Sequence, residues 1–408
     1  MTGRGVTSRD TYARYVRALG DRPLPAAMVD LDAVDRNIET VLAPVRAAGK
    51  HLRIASKSVR CVALLRYITD HSNGCVRGVM AYTAREAEHL VRAGFDDVLI
   101  AYPSMHPAEA LAVARANAAG ATVRPIVDDA AQLAVLATEA KRAGTVVPVT
   151  IDVDMSYRLL GGRVHLGVRR SPIHDVGPAV DLARTISTQA GLRFDGVMGY
   201  EAQIAGLPDQ SRTSAWLDPV RGMIKRASGA RVRELRGALF EALRDAGLAP
   251  NVFNGGGTGS VHSTSAEPWL TEVTAGSGFL GSHLFDSYDG LSLVPACCFA
   301  LQVTRIPAPG FATCHAGGYI ASGASGADRL PIAYLPEGLE LTSLEGAGEV
   351  QTPLHLRDGV TLRLGDRVFF RHAKSGEIAE HFNHYALVRG DRVVEEVPTY
   401  RGEGCAFG

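Results

Sequence analysis

Lys57 closes the apolar run His51-Leu-Arg-Ile-Ala-Ser-Lys-Ser-Val-Arg60. A lysine at the end of an early buried strand is either solvated at a rim in a salt bridge or kept for chemistry. That chemistry would be a Schiff base, with partial desolvation and the charges of Arg53 and Arg60 lowering the amine's pKa. A second feature, Asn254-Gly-Gly-Gly-Thr-Gly-Ser260, follows another apolar run. Consecutive glycines let backbone N–H groups turn toward an anion, and Thr258 and Ser260 can add hydroxyl donors. It is neither a Walker loop nor a dinucleotide fingerprint, so it reads as a phosphate site or as a flexible loop. A further small-residue loop, Ala275-Gly-Ser-Gly278, ends the next apolar run. In a barrel the loops after the last two strands commonly hold a phosphate, so the two glycine loops support each other.

The elements that must carry these residues alternate. Strand-like runs fall at 26–30, 51–55, 78–81, 97–101, 122–127, 148–153, 194–200, 251–254 and 271–275, and helical patterns at 31–48, 84–93, 107–119 and 129–143. Strands alternating with helices over this length mean parallel βα units, and about eight of them predict a (β/α)8 TIM barrel. Chemistry in such a barrel sits on the loops after the strands, where Lys57, Asp154, Glu201, Gly255 and Gly276 all fall. The stretch 206–236 is longer and more polar than a βα connection needs and reads as an insertion on the rim. After residue 291 short strand-like runs at 299–306, 361–364, 367–370, 385–388 and 392–397 are separated by Gly, Pro and Asp turns. The expected organisation is an N-terminal extension (1–24), a barrel (25–290) and a C-terminal all-β domain (291–408).

Composition excludes little. Lysine plus arginine equals aspartate plus glutamate at 43 each, so nothing favours nucleic acid or an anionic membrane. No run approaches the roughly 20 apolar residues of a membrane span, and the first 15 residues lack a signal peptide's apolar core. The six cysteines show no CxxC spacing, which predicts reduced thiols in a cytoplasmic enzyme. The adjacent Cys297 and Cys298 read as apolar strand filler.

The ordered series of motifs is informative as a whole. Pro25-Ala-Ala-Met-Val-Asp-Leu-Asp-Ala-Val-Asp-Arg-Asn37, then Lys57, resembles the opening of the alanine racemase-like, fold-type III pyridoxal-phosphate enzymes. More narrowly it resembles the D-threonine aldolase and D-serine dehydratase group. The resemblance continues through Thr83-Ala-Arg-Glu-Ala-Glu-His-Leu, Gly199-Tyr-Glu-Ala-Gln203, Gly255-Gly-Gly-Thr-Gly and Glu272-Val-Thr-Ala-Gly276. The tail Val397-Pro-Thr-Tyr-Arg-Gly-Glu-Gly404 resembles a subgroup called amino acid deaminase/aldolase.

The resemblance implies that Lys57 is the Schiff-base lysine and that Gly256, Gly257, Thr258, Gly276 and Ser277 bind the cofactor phosphate. Tyr200 and Gln203 would line the ring or the substrate. The family places an arginine near the ring; in Val164-His-Leu-Gly-Val-Arg169, His165 takes that place, with Arg163 or Arg169 as substitutes. Relatives of the aldolase and dehydratase kind usually carry a histidine two residues after the lysine, where this chain has Val59. They also bind a divalent metal through a histidine followed two positions later by cysteine or aspartate. Here the run is Arg371-His372-Ala-Lys374, so His372 is a metal candidate without its partner and the Lys374 ammonium could stand for the cation. Glu377, Glu380, His381 and His384 follow as other possible ligands.

The implied activity is a lyase that splits a small β-hydroxy-α-amino acid, of D configuration, into glycine and an aldehyde, with His372 or a water beside Lys374 as base. The alternatives are a dehydratase releasing ammonia and a keto acid, and a racemase using Tyr288 or Tyr319 as its second acid or base. A homodimer is implied as well.

Overall fold

The computed structural model describes residues 7–159, 163–210 and 215–407. After α1 (Ser8–Leu19) comes β1 (Ala26–Asp30) and then α2 (Leu31–Ala47). The barrel begins only afterwards, with β2 (His51–Ala55), β3 (Val76–Ala81), β4 (Asp97–Ile100), β5 (Thr122–Val127) and β6 (Val147–Asp152). A small hairpin, β7 (Tyr157–Leu159) and β8 (Val164–Leu166), interrupts before β9 (Leu192–Gly199), β10 (Val252–Gly255) and β11 (Glu272–Ala275). The parallel order β10-β11-β2-β3-β4-β5-β6-β9 closes on itself.

Helices cover the outside: α3 (Val62–Asp70), α4 (Ala84–Arg92), α5 (Pro107–Ala118), α6 (Ala130–Ala143) and α7 (Val176–Thr188). Their starts are written locally. Thr83 accepts from the Glu86 N–H at the head of α4, and Asp129 with Gln132 forms a capping box at α6. β6 is buried at all six positions, as expected for a strand covered on both faces.

The remainder, β12 (Cys297–Arg305), β13 (Phe311–His315), β14 (Ile332–Leu335), β15 (Leu339–Leu341), β16 (Gln351–Leu356), β17 (Arg367–Arg371), β18 (His384–Arg389) and β19 (Arg392–Pro398), forms a nine-stranded sheet together with β1. A closed eight-stranded barrel with an all-β C-terminal domain is therefore the fold.

Three sequence expectations change. The run 26–30 does not open the barrel: β1 lies between β12 (antiparallel) and β18 (parallel). An apolar run followed by an amphipathic helix looks the same whichever sheet it joins, and nothing local tells them apart. The run 361–364 is not a strand, whereas β13 to β16 were not read at all. Within 206–236, residues 211–214 lie outside the described residues. After α8 (Ala202–Ala205), the rest is a short 3-10 turn and the start of α9 (Asp218–Asp245), one continuous 28-residue helix. Cys297 and Cys298 are buried filler in β12, as expected. Among the described residues no helix is long and apolar enough to cross a membrane.

Inside the barrel, Leu99, Ile126 and Met198 pack together above a charged layer. Arg53 donates to Glu272 and Asp97, both at 2.7 Å, and Arg124 to Asp97 and Asp195 at 2.6 and 2.5 Å.

Candidate active site

Lys57 sits in a single 3-10 turn after β2 (Ser56–Ser58), at the barrel's C-terminal mouth. It is solvent-accessible yet crowded by protein. Loss of hydration lowers its pKa first, and the charges of Arg170, Lys374 and Arg60 lower it further, with Glu377 opposing. Of the two arginines expected to help, Arg60 does. Arg53 does not, because it is spent in the charged layer near the base of the barrel.

The two small-residue loops meet beside this turn. The Gly278 N–H donates to Thr258 Oγ1 at 3.1 Å. The Ser277 hydroxyl lies 3.1 Å from that of Ser58, and a Cβ on Gly276 would stand 2.7 Å from the Ala55 carbonyl. A Cβ on Gly257 would come within 3.3 Å of the Tyr200 ring, which places Tyr200 against the loop. Burial, with help from Glu201, pushes the Tyr200 phenol up to about 12. Gly256 behaves differently from expectation. Its φ of +94° turns the chain, and its N–H is committed to Glu201 at 3.0 Å rather than directed at an anion.

Beside Lys57 and Tyr200 stands Arg170, one residue beyond the arginines named from the sequence. Its Nε donates to Asp152 at 2.8 Å and its NH2 to the Ala101 carbonyl at 3.0 Å, and its charge reaches both Lys57 and Tyr200. Asp152 is pushed up to about 6 by burial, despite Arg170. His165 stays in the β7–β8 hairpin with its Nε2 3.1 Å from the Val168 carbonyl, while Arg163 and Arg169 are exposed. Gln203 is buried and donates to the Met155 carbonyl at 2.6 Å; its Oε1 has no partner.

The β domain reaches the site within the same chain. After β17, Ser375 donates to the Ser277 carbonyl at 2.9 Å. Gly376, at φ +86°, lies so close that a methyl there would overlap the Lys57 carbonyl oxygen. Lys374 bonds Ser322 Oγ at 3.2 Å and faces Glu377 at 3.9 Å.

His372 is placed otherwise than a ligand or base requires. It is 2% exposed, with Nε2 3.4 Å from Ser375 Oγ. Burial, then Arg371 and His283, push its pKa down to about 3, which makes the imidazole a weak base. Among the described residues no three His, Cys, Asp or Glu side chains gather as metal ligands.

Two buried networks were not read from sequence. Glu201 accepts from Gly256 N–H, Ser260 Oγ (2.7 Å), Thr264 Oγ1 (2.5 Å) and Arg236. Arg236 also donates to Glu267 at 2.7 Å and to the Gly199 carbonyl at 2.6 Å. Burial alone would raise the Glu201 carboxyl, but these donors outweigh it and hold it below the usual range. Arg236 falls in the stretch taken for a rim insertion; one arginine on a long helix carries no signal. Behind Lys57, Tyr400 donates to Glu86 at 3.0 Å, Glu86 accepts from the Tyr82 N–H at 2.8 Å, and the Tyr400 N–H bonds the Arg60 carbonyl at 2.9 Å. The tail, readable as a mere turn, thus docks against the lysine loop. A surface depression of about 740 Å³ lined by Arg66, Gly78 and Asp97 opens at the opposite end of the strands and shares none of these residues.

These placements are those of the alanine racemase-like barrel fold. Residues 29–282 match the alanine racemase N-terminal domain, and the chain belongs to that family. It is 28% identical to a 3-hydroxy-D-aspartate aldolase of Paracoccus denitrificans (strain Pd 1222) over 253 residues, 62% of this chain and 59% of the relative. The chain thus spans about three fifths of the length of the curated relatives first matched. Among solved structures it is similar to a D-threonine aldolase from Filomicrobium marinum, with TM-score 0.79 and 24% identity over 94% of this chain and 96% of that one. It is also similar to a D-threo-3-hydroxyaspartate dehydratase from Delftia sp. HT23, with TM-score 0.72 and 23% identity over 93% and 98%. A mutant of a dehydratase of that name is known in a metal-free form.

Proposed function

We propose that the chain is a pyridoxal-phosphate-dependent lyase that cleaves a small β-hydroxy-α-amino acid to glycine and an aldehyde. The observation that carries the reading is the convergence on Lys57, an accessible amine of lowered pKa, of two small-residue loops and a fixed arginine. Names of relatives support the substrate class, since they include aldolases for hydroxyaspartate and threonine.

The residues fit the cofactor. Gly257 and Gly276 pack too closely against Ala205 and Ala55 for any side chain, and with the hydroxyls of Thr258 and Ser277 beside them they suit a phosphate. Tyr200 and Arg170 would flank the ring, Arg170 in the role first given to His165. Gln203, with its unpartnered oxygen, would face the ring or the substrate. When bound, the cofactor supplies an electron sink for the pair left on Cα. Lys57 holds it, then is free to return a proton to Cα. Arg170 gives a weaker pull on the ring than would a carboxylate partner, which holds a proton on the ring nitrogen, and this suits cleavage over long-lived carbanions. His372 positions Ser375, and through it the Ser277 carbonyl. Glu201 fixes the turn at Gly256.

The test is incubation of purified protein with D- and L-β-hydroxy-α-amino acids, scoring glycine and aldehyde. Release of ammonia and a keto acid instead would move the reading to elimination, which the dehydratase relative supports. Neither product pair from any such substrate sinks the reading.

A pH dependence follows from Lys57. Only the neutral amine captures an aldehyde, so capture of pyridoxal phosphate by the apo-protein should rise with pH through a midpoint below lysine's ordinary 10.5. Arg170→Gln removes one lowering charge and should move that midpoint up, as read by stopped-flow absorbance. A midpoint that stays put would remove Arg170 from the site.

We also propose a cytoplasmic homodimer. The six free thiols, five of them buried, suit a reducing compartment. Exposed Trp216 and Met223 offer an apolar contact for a second copy. Light scattering should then give twice the 43.3 kDa chain mass.

A further inference from the structure

We propose that the Lys374–Glu377 pair, rather than a divalent metal ion, handles the β-hydroxyl of the substrate. The inference rests on the lyase reading above.

A metal site needs three or four nitrogen, oxygen or sulfur ligands converging at about 2 Å. Such convergence is absent among the described residues. His372, the one side chain the family pattern keeps, is buried beneath the loop with Nε2 turned to Ser375. Two residues on, where a ligand belongs, stands Lys374. An ammonium has no lone pair to give and repels a divalent cation. The donor set therefore does not fit a metal.

The same loop offers a replacement. Ser375 and Gly376 rest on the Ser277 carbonyl and on the backbone of Lys57, so the residues flanking them stand at the edge of the site. Lys374 is 37% exposed in its side chain and is held by Ser322 Oγ at 3.2 Å. Glu377 faces it at 3.9 Å. Its carboxylate is anchored by the Ser322 N–H at 2.8 Å and by the Ser322 hydroxyl. Both charges are felt at Lys57. A cation and a carboxylate side by side, fixed by one serine, are what retro-aldol chemistry asks for.

The step balances without a co-reactant. The β-hydroxyl proton passes to the Glu377 carboxylate. The O–H pair becomes the second bond of the aldehyde carbonyl, the Cα–Cβ bond breaks, and its pair goes to Cα. The Lys374 ammonium stabilises the oxygen as negative charge develops on it, as a metal would. The proton on Glu377 then leaves to solvent.

The experiment has two arms. Isothermal titration of holoenzyme with Mn²⁺ should show no stoichiometric site in the wild type. Cleavage should be unchanged by a chelator, and Lys374→Met and Glu377→Gln should each lower kcat by roughly a hundredfold or more while the borohydride-sensitive visible band persists. One Mn²⁺ bound by the wild type and lost in His372→Ala overturns the proposal. So does a chelator-sensitive activity, or a Lys374→Met enzyme that cleaves at the wild-type rate. If the wild type cleaves nothing with or without Mn²⁺, the lyase reading fails on its own, and the titration still decides the metal question.

Discussion

Lys57→Ala is expected to give a colourless protein that no longer cleaves substrate, a loss of at least about a thousandfold. Wild-type protein with pyridoxal phosphate should show a visible band that borohydride bleaches, and the variant should lack it. The fold should not suffer. The folded pKa of Lys57 is lowered by lost hydration and three neighbouring cations. Its protonated form therefore costs the apo-protein stability at every pH below that value, and the cost fades as pH rises toward the ordinary lysine value. Removing the amine should leave the apo-protein's melting temperature at neutral pH unchanged or slightly raised. A variant that keeps a reducible band would mean that another amine holds the cofactor.

Arg236→Met should be the most destabilising single change at the site, although Arg236 is not placed to touch substrate. It is fully buried and answers two carboxylates, Glu201 and Glu267. Removing one partner of a buried ion pair leaves charge without compensation and costs about 3–5 kcal/mol. Here Glu201 would be left beside Glu267, itself raised by burial. Adding Glu201→Gln should recover part of the loss, because the two positions share one network. Chemical denaturation of the single and double variants measures both numbers. A single variant within about 0.5 kcal/mol of wild type, the range of an ordinary surface change, would show the network to be idle. Acid should act in the same direction. The depressed pKa of Glu201 gives stability that is fully present above the ordinary 4.5 and is lost as pH falls through the folded value.

Much of the architecture was legible because βα units repeat a local pattern. The strands at Lys57, Glu201, Gly255 and Gly276 were placed by apolar runs of the right length between helices, and the C-terminal ends of parallel strands share one face of a barrel. What escaped were facts of three-dimensional assembly. β1 has the local signature of a barrel strand and joins the other sheet. Arg53, within β2, is turned by strand register into the charged layer below, whereas Arg170, in the loop after β8, is turned to the mouth and secured by Asp152. Arg236 and Tyr400 reach their partners across 35 and 314 positions respectively, which periodicity cannot register. Lys374 was singled out only as a departure from a pattern, and its pairing with Glu377 and Ser322 needed coordinates.

The placement of β1 also bears on how the molecule is made. This strand is synthesised before either of its neighbours, β12 and β18, and β18 ends at Arg389. During synthesis one hydrogen-bonding edge of β1 must wait for β12, which ends at Arg305, and the other for β18, which ends at Arg389. An unpaired apolar strand is a template for wrong partners, including other nascent chains. The barrel can close without β1, since its eight strands lie between His51 and Ala275. Assembly is then expected in two stages, with the barrel first and the sheet completed by capture of β1 at the end. Because Gly376 seats on Lys57 only when that sheet is in place, the cleft acquires its final wall last, and a nascent or truncated chain would hold its reactive lysine unguarded.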